Sequence, residues 1–400
     1  MTRLSRLARS TACAFSLSLM AGTAWAGPQI TFGPNDIASL QIDYKGAFQL
    51  MYQNTGSGPN GTSDTVDFNF RRNRLALKGA YGDNFSIYIQ TEYASNPVLN
   101  PLLTAPVGSP QFKMLDAVAR FKYNDMFQAN VGKYKYNFTR EVLDACEAPT
   151  TLDRSLFLTS PYVDDNSTRD LGLTVWGNLV EGLFQYRADI MQGRTNGYNA
   201  YKSPDSSFRY GFRGHVSLFD KESDYGYKGT YLGEKKVLTI GAAVQYEPRI
   251  AYSDVVNSSG AVNYLGYTFD AFFENKYPGI GTFTVGGAYA NFDLGGAYKG
   301  ANPDPGTVNF YGQRNGGYIK FAYLLPELPL QFFGRYENWA FAQLKGINDQ
   351  KVNWYGIGAR YYFRGQNLNL GIEFSRTILD KLDVNNQDYS TLLTQLQVVF

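Results

Sequence analysis

Apolar and polar side chains alternate with a period of two along segment after segment of this chain. From Leu40 to Tyr52 the even positions read Leu40, Ile42, Tyr44, Gly46, Phe48, Leu50 and Tyr52. Between them stand Gln41, Asp43, Lys45, Ala47, Gln49 and Met51. Successive strand side chains point to opposite faces, so this pattern predicts a strand with one apolar and one polar face. Similar stretches recur at 65–80, 85–93, 112–123, 127–136, 171–177, 183–191, 208–219, 237–246, 264–277, 282–292, 317–325, 330–339, 352–363, 368–378 and 390–400. Many are about as long as the roughly 9–11 residues a tilted strand needs to cross a bilayer. The prediction is all-β: a transmembrane antiparallel β-barrel of about 16 strands. The connections alternate between short turns (YGDN, NDM, LVEG, YPGIG, LPELP, RGQN) and longer polar loops at 54–64, 94–111, 194–207, 249–263, 294–315 and 378–389. Short periplasmic turns with long outer loops are the habit of outer-membrane barrels. The stretch 220–236 breaks this rule on the short-turn side, which leaves either an elaborated turn or an eighteen-strand count.

The longest break in the alternation runs from 137 to 169. So long an irregular stretch inside a barrel is expected to be functional, and the place for it is the lumen. We read it as an inward-folded third loop that constricts a channel, carrying Arg140, Glu141, Asp144, Glu147, Asp153 and Arg154. In the second strand, Leu75, Leu77 and Tyr81 take the lipid face, which turns Arg72, Arg74 and Lys78 to the lumen. Phe68 and Phe70 then fall on the side of Arg72, so either they line the upper lumen or a bulge resets the register.

Composition supports the barrel. The chain holds 31 Tyr, 28 Phe and 41 Gly, yet past residue 26 no run is apolar and long enough for a membrane helix. The first 26 residues, with a basic start, a short apolar core and TAWA before Gly27, read as a secretory signal cleaved after Ala26. Residues 27–400 then form one barrel domain. Arg3, Arg6 and Arg9 leave with the signal, so the mature chain, with its 35 acidic residues, is close to neutral. No global basicity argues for nucleic acid. Cys13 also leaves, and the lone Cys146 excludes an intrachain disulfide or a thiolate metal cluster. His215 is the only histidine, no nucleophile or phosphate-loop motif accompanies it, and neither an enzyme, a metal nor a cofactor is expected.

Two stretches carry a family resemblance: FNFRRNRLALKG (68–79) with the Gly-Asp turn after it, and VGKYKYNFTREVL (131–143) followed by DRSLF (153–157). They resemble an early strand, and the fifth strand and third loop, of the phosphate-selective porins (porin O/P) of Gram-negative outer membranes. The resemblance implies a sixteen-stranded barrel, a homotrimer, and arginines and lysines that escort phosphate. The sequence departs from the pattern at Tyr136 and Asn137, where Val-Pro is common, and in the acidity of the loop.

The chemistry an anion pore needs is also present. Guanidinium forks and ammonium groups replace the hydration an anion loses in a narrow lumen. The candidates are Arg72, Arg74, Lys78, Arg120, Lys122, Arg187, Arg209 and Arg213 on strands, with Arg140 and Arg154 in the loop. Lys133 and Lys135 join them, on a strand whose phase is ambiguous. The alternative is that these side chains pair with Glu92, Asp116, Asp189 and the loop carboxylates and merely fill a polar lumen. The expected function is an outer-membrane porin for small anions, phosphate or related oxyanions among them. The competing readings are a general or cation-preferring porin, and a barrel sheath around a redox partner protein. Lipid and lipopolysaccharide surround such a barrel, and the closing TLLTQLQVVF, ending on Phe400, resembles the signal read by the barrel-assembly machinery.

Overall fold

The period-two alternation folds into one antiparallel sheet rolled onto itself. A computed structural model describes residues 27–54, 63–94, 111–163, 168–194, 203–205, 207–383 and 386–400; the expected signal segment lies outside them. After a short strand β1 (Gln29–Phe32) come β2 (Ala38–Gln53), β3 (Thr65–Tyr81), β4 (Phe85–Ala94), β5 (Gln111–Lys122), β6 (Gln128–Lys135) and β7 (Arg169–Leu179). Then follow β8 (Phe184–Met191), β9 (Arg209–Ser217), β10 (Val237–Asp254), β11 (Ser259–Tyr277) and β12 (Gly281–Asp293). The last are β13 (Arg314–Leu324), β14 (Leu330–Leu344), β15 (Ile347–Arg364), β16 (Leu368–Leu379) and β17 (Tyr389–Val399). Each of β2–β17 pairs with its neighbours in sequence, and β17 returns to β2 with Thr391 opposite Gln53 and Val399 opposite Lys45. The result is a closed barrel of 16 strands. Closure leaves no open edge, which is what lets a sheet lie in hydrocarbon with its backbone satisfied. β1 only adds to the start of β2.

Burial separates the two faces. On β10, Ile240, Val244 and Tyr246 point outward, while Thr239, Gln245 and Glu247 are buried inside. The expected loop at 249–263 is instead strand: β10 and β11 run on past a register shift between Glu247 and Ala251 and meet at a tight turn. The stretch 220–236 adds no strand pair among the described residues, so eighteen strands are excluded and the elaborated turn is what the chain builds.

That turn and the segment 136–163 both lie inside the barrel. They meet there as a short parallel bridge between Asp144 and Tyr227, with Ala145 N–H donating to Tyr227 O at 2.7 Å and Gly229 N–H to Ala148 O at 2.8 Å. Glu274 of β11 holds the turn by accepting from the N–H groups of Tyr231 and Gly233 at 3.0 and 2.8 Å. The lumen is therefore not the uniformly polar tube the alternation implies. Phe157 of the inward segment sits fully buried against Trp339, Phe310 and Phe341, with ring centroids 5.3, 5.7 and 5.7 Å away.

Candidate functional site

A bulge in β3 decides how the inward segment is held. The pairing of β2 with β3 slips between Ala47 and Phe48, which face Arg72 and Phe70 and leave Arg71 without a partner position. The bulge answers the Phe68 question: Phe68 is 79% exposed on the outer face, and Arg71 and Arg72 both turn inward. Both guanidiniums grip Asp153, Arg72 at 3.0 Å. Their charges, winning over burial, hold the Asp153 carboxyl well below the usual range.

The other expected basic residues divide into two groups. One group anchors the inward segment or pairs along the wall. Arg74 donates to Glu92 at 2.6 Å and reaches Cys146 Sγ at 2.9 Å. Arg140 forks between Asp144 (3.0 Å) and Glu222, and its guanidinium lies 3.7 Å over the Phe272 ring. Glu222 also accepts from Tyr231 and Thr239, so it is the better satisfied carboxylate, and burial leaves the Asp144 carboxyl pushed up to about 6. Arg154 donates to Val142 O at 2.9 Å. Arg187 donates to Gln185 at 2.7 Å and Asn137 at 3.3 Å, lying 4.6 and 4.9 Å from the Tyr225 and Tyr227 rings. Arg209 pairs with Glu247 at 2.8 Å and donates to Pro161 O at 2.7 Å. Arg213 takes Asp270 with both Nη atoms, at 2.6 and 2.8 Å, and donates to Phe138 O. Gly241 leaves room for that pair, since a Cβ there would lie 2.6 Å from Arg213 Nη2. Asp189, which the alternative reading paired with an arginine, accepts instead from Asn137 at 2.7 Å.

The second group faces open space. A cavity of about 800 Å³ lies at the short-turn end of the barrel, bordered by the 82–84 turn, the ends of β2–β7, residues 143–147 and the inward turn. Lys78, Arg120, Lys122 and Lys135 line it together with Lys45, Arg169 and Lys228, against Asp83, Asp116, Glu147 and Asp224. Lys78 stays half exposed while pairing with Asp43 at 2.5 Å, and Lys122 reaches only to Asp125 at 3.8 Å. Lys135 donates to Asp144 O at 2.5 Å. Arg120 lies 5.6 Å over the Tyr88 ring and has no carboxylate in salt-bridge range among the described residues. Lys133 is a correction: it sits opposite Leu171, which is 55% exposed, so it belongs to the outward face and not the pore.

Several interior cations escaped the sequence reading. Lys45 pairs with Glu147 at 2.8 Å, and Lys320 with Glu141. Arg194 pairs with Asp304 at 2.8 Å. Arg314 donates to Phe157 O, Arg335 to Asp153 O, and Arg360 to Thr151 O. The alternation of β13–β15 carried the signal for three of them: Lys320 between outward Ile319 and Phe321, Arg335 before outward Tyr336, Arg360 before outward Tyr361. Arg71 had no such signal, because a bulge breaks the period that would reveal it. His215, the lone histidine, is an interior packing group whose Nδ1 lies 2.7 Å from the Tyr227 hydroxyl.

Known proteins agree with this architecture. No curated protein sequence matches significantly. Among solved structures, the anion-selective porin from Comamonas acidovorans superposes with a TM-score of 0.58 at 10% identity, over 91% of this chain and 100% of its own. OmpF of Salmonella typhi, in complex with daunomycin, does so at 0.60 and 13%, over 93% and 100%. The outer membrane channel DcaP of Acinetobacter baumannii reaches 0.56 at 15% identity, over 94% and 100%. At such identities the likeness is one of fold. The sequence itself matches the family model of phosphate-selective porins O and P over residues 42–400, so the chain belongs to that family of outer-membrane channels.

Proposed function

We propose that the channel passes small anions, and that the cations around the turn-end vestibule supply the preference. The observation that carries this is the lining itself: Lys78, Arg120, Lys122, Lys135 and Lys228 border an open space in which carboxylates are fewer. The loop acids that would favour cations are already engaged, Glu147 by Lys45, Asp153 by Arg71 and Arg72, and Glu141 by Lys320. A sheath around a partner protein fits poorly, because the inward segment and turn occupy the lumen such a partner needs.

The segment 137–169 acts in this reading as the constriction, held by the buried arginines and not lined by an open ladder of them. Phosphate is the solute the family description suggests; a small tetrahedral oxyanion is one of the anions to try. The anion-selective porin of Comamonas and the trimer form of OmpT from Vibrio cholerae, which has the same fold, support reading this chain as an anion-preferring homotrimer. The barrel serves transport and carries no catalysis; the signal 1–26 is removed on export. Phe400, whose ring lies 5.3 Å from Tyr44 at the barrel seam, is the closing aromatic offered to the assembly machinery.

The test is the reversal potential of the purified protein in a planar bilayer under a salt gradient. The expected sign is that of anion selectivity, and the double variant Arg120→Glu, Lys122→Glu shifts it towards cations. A cation-selective parent channel would overturn the reading.

A further inference from the structure

The vestibule is built for more than compact inorganic ions. Tyr88 and Tyr225 each present a partly exposed ring to it. Tyr225 is braced edge-on by Tyr134 and Trp176, with centroids 6.1 and 5.4 Å away, and its hydroxyl donates to Lys135 O at 3.2 Å. Arg120 stands at the Tyr88 ring with its guanidinium facing the cavity. Asn130, only 1% exposed, lines the same cavity, and its Nδ2 has no hydrogen-bond partner among the described residues. A buried amide donor left unmatched is costly and marks a place where a ligand oxygen belongs.

A multiply charged tetrahedral oxyanion wants several converging donors. Here the cations border tyrosine ring faces, and the exposed Asp224 carboxylate on the rim repels a second negative charge. A planar ring with a single carboxylate suits the lining better. The ring lies on tyrosine faces, the carboxylate takes the Arg120 fork, and about 800 Å³ falls in the usual size range for a small-molecule site. We propose that the vestibule is a binding station for aromatic monocarboxylates of the benzoate class on their way through the channel. This rests on the anion-channel reading above.

The experiment measures block of the chloride current in planar bilayers by benzoate, acetate and inorganic phosphate. An aromatic contact is worth about 0.5–1.5 kcal/mol beyond area burial, up to roughly tenfold in affinity, so half-block by benzoate is expected at about tenfold lower concentration than by acetate. Tyr88→Leu should erase the difference between benzoate and acetate, while Arg120→Gln, at an exposed side chain, weakens block by both. Benzoate should also change the fluorescence of Trp176 in the detergent-solubilised protein, a response absent in Trp176→Phe. Equal block by benzoate and acetate, or stronger block by phosphate, in a channel that remains anion-selective overturns the aromatic station alone. So does a fluorescence response that is absent from the parent protein. A cation-selective reversal potential overturns the anion reading and this inference with it.

Discussion

At the scale of single residues, the interior is a set of arginine forks matched to carboxylates and loop carbonyls, and one of those carboxylates is poorly matched. Burial first, and then the neighbouring Glu141 and Glu222 carboxylates, push the Asp144 carboxyl up to about 6 against the pull of Arg140, which it shares with Glu222. A folded-state pKa above the ordinary value means the folded barrel holds that proton more tightly than the unfolded chain. The contribution is therefore most favourable at low pH and is lost as pH rises through the window from about 4 to about 6. A tenfold change in proton affinity corresponds to about 1.4 kcal/mol, so roughly 1–2 kcal/mol disappears between pH 5 and pH 7.5. Glu147 and Asp153 are held below the usual range by Lys45 and by Arg71 and Arg72; their contributions are full above the ordinary carboxylate pKa and vanish only in stronger acid. Unfolding of parent and Asp144→Asn in lipid vesicles at these two pH values isolates the effect. The difference between them should move in favour of the variant by that amount at pH 7.5, and a pH-independent difference would remove Asp144 as the origin.

At the scale of elements, the feature that defines the lumen is the meeting of the inward segment with the turn 218–236. Replacing 224–229 by a Gly-Ser run of equal length removes the rings of Tyr225 and Tyr227 beside Arg187 and gives freedom to the backbone whose groups at 227 and 229 hydrogen-bond to residues 143–148. Single-channel recordings should then show larger conductance and more open-state noise; an unchanged trace would mean the barrel wall alone positions the segment. This element shows where the sequence was legible and where it was not. The period of two gave each barrel strand, because a lipid face and an interior face impose it residue by residue. It also exposed 220–236 as anomalous. What period cannot report is a partner: nothing local tells Tyr227 that its neighbour is Asp144, or Phe157 that it will pack on Trp339. The same limit explains the arginines. Alternation put Arg72, Arg187, Arg209 and Arg213 inside, but whether each meets an anion or Asp153, Glu247 or Asp270 depends on loops that return from far along the chain. Lys133 failed for the opposite reason, since Gly132 and the end of β6 blur the phase that Leu171 across the ladder makes plain.

At the scale of the whole molecule, the barrel's outer surface predicts how it responds to charge. On β15 the outward face reads Tyr355, Ile357, Ala359, Tyr361 and Phe363, with the 365–367 turn just beyond. Ile357, 69% exposed, lies between the aromatic positions and should sit near the bilayer midplane, whereas Tyr361 lies towards the turn-side interface where aromatic girdles form. Neither side chain touches the vestibule or the inward segment, so their substitution probes the membrane and not the pore. An arginine on the lipid face costs about 2–4 kcal/mol at midplane and about 0–1 near the interface. Ile357→Arg should therefore lower folding stability in phospholipid vesicles by the larger amount and Tyr361→Arg by the smaller. Both variants, once folded, should keep the parent's reversal potential. Equal costs at the two positions would place the hydrocarbon slab elsewhere on the barrel. A changed reversal potential would mean that the outer face and the lumen are coupled, which side chains on the outward face of a paired strand give no reason to expect.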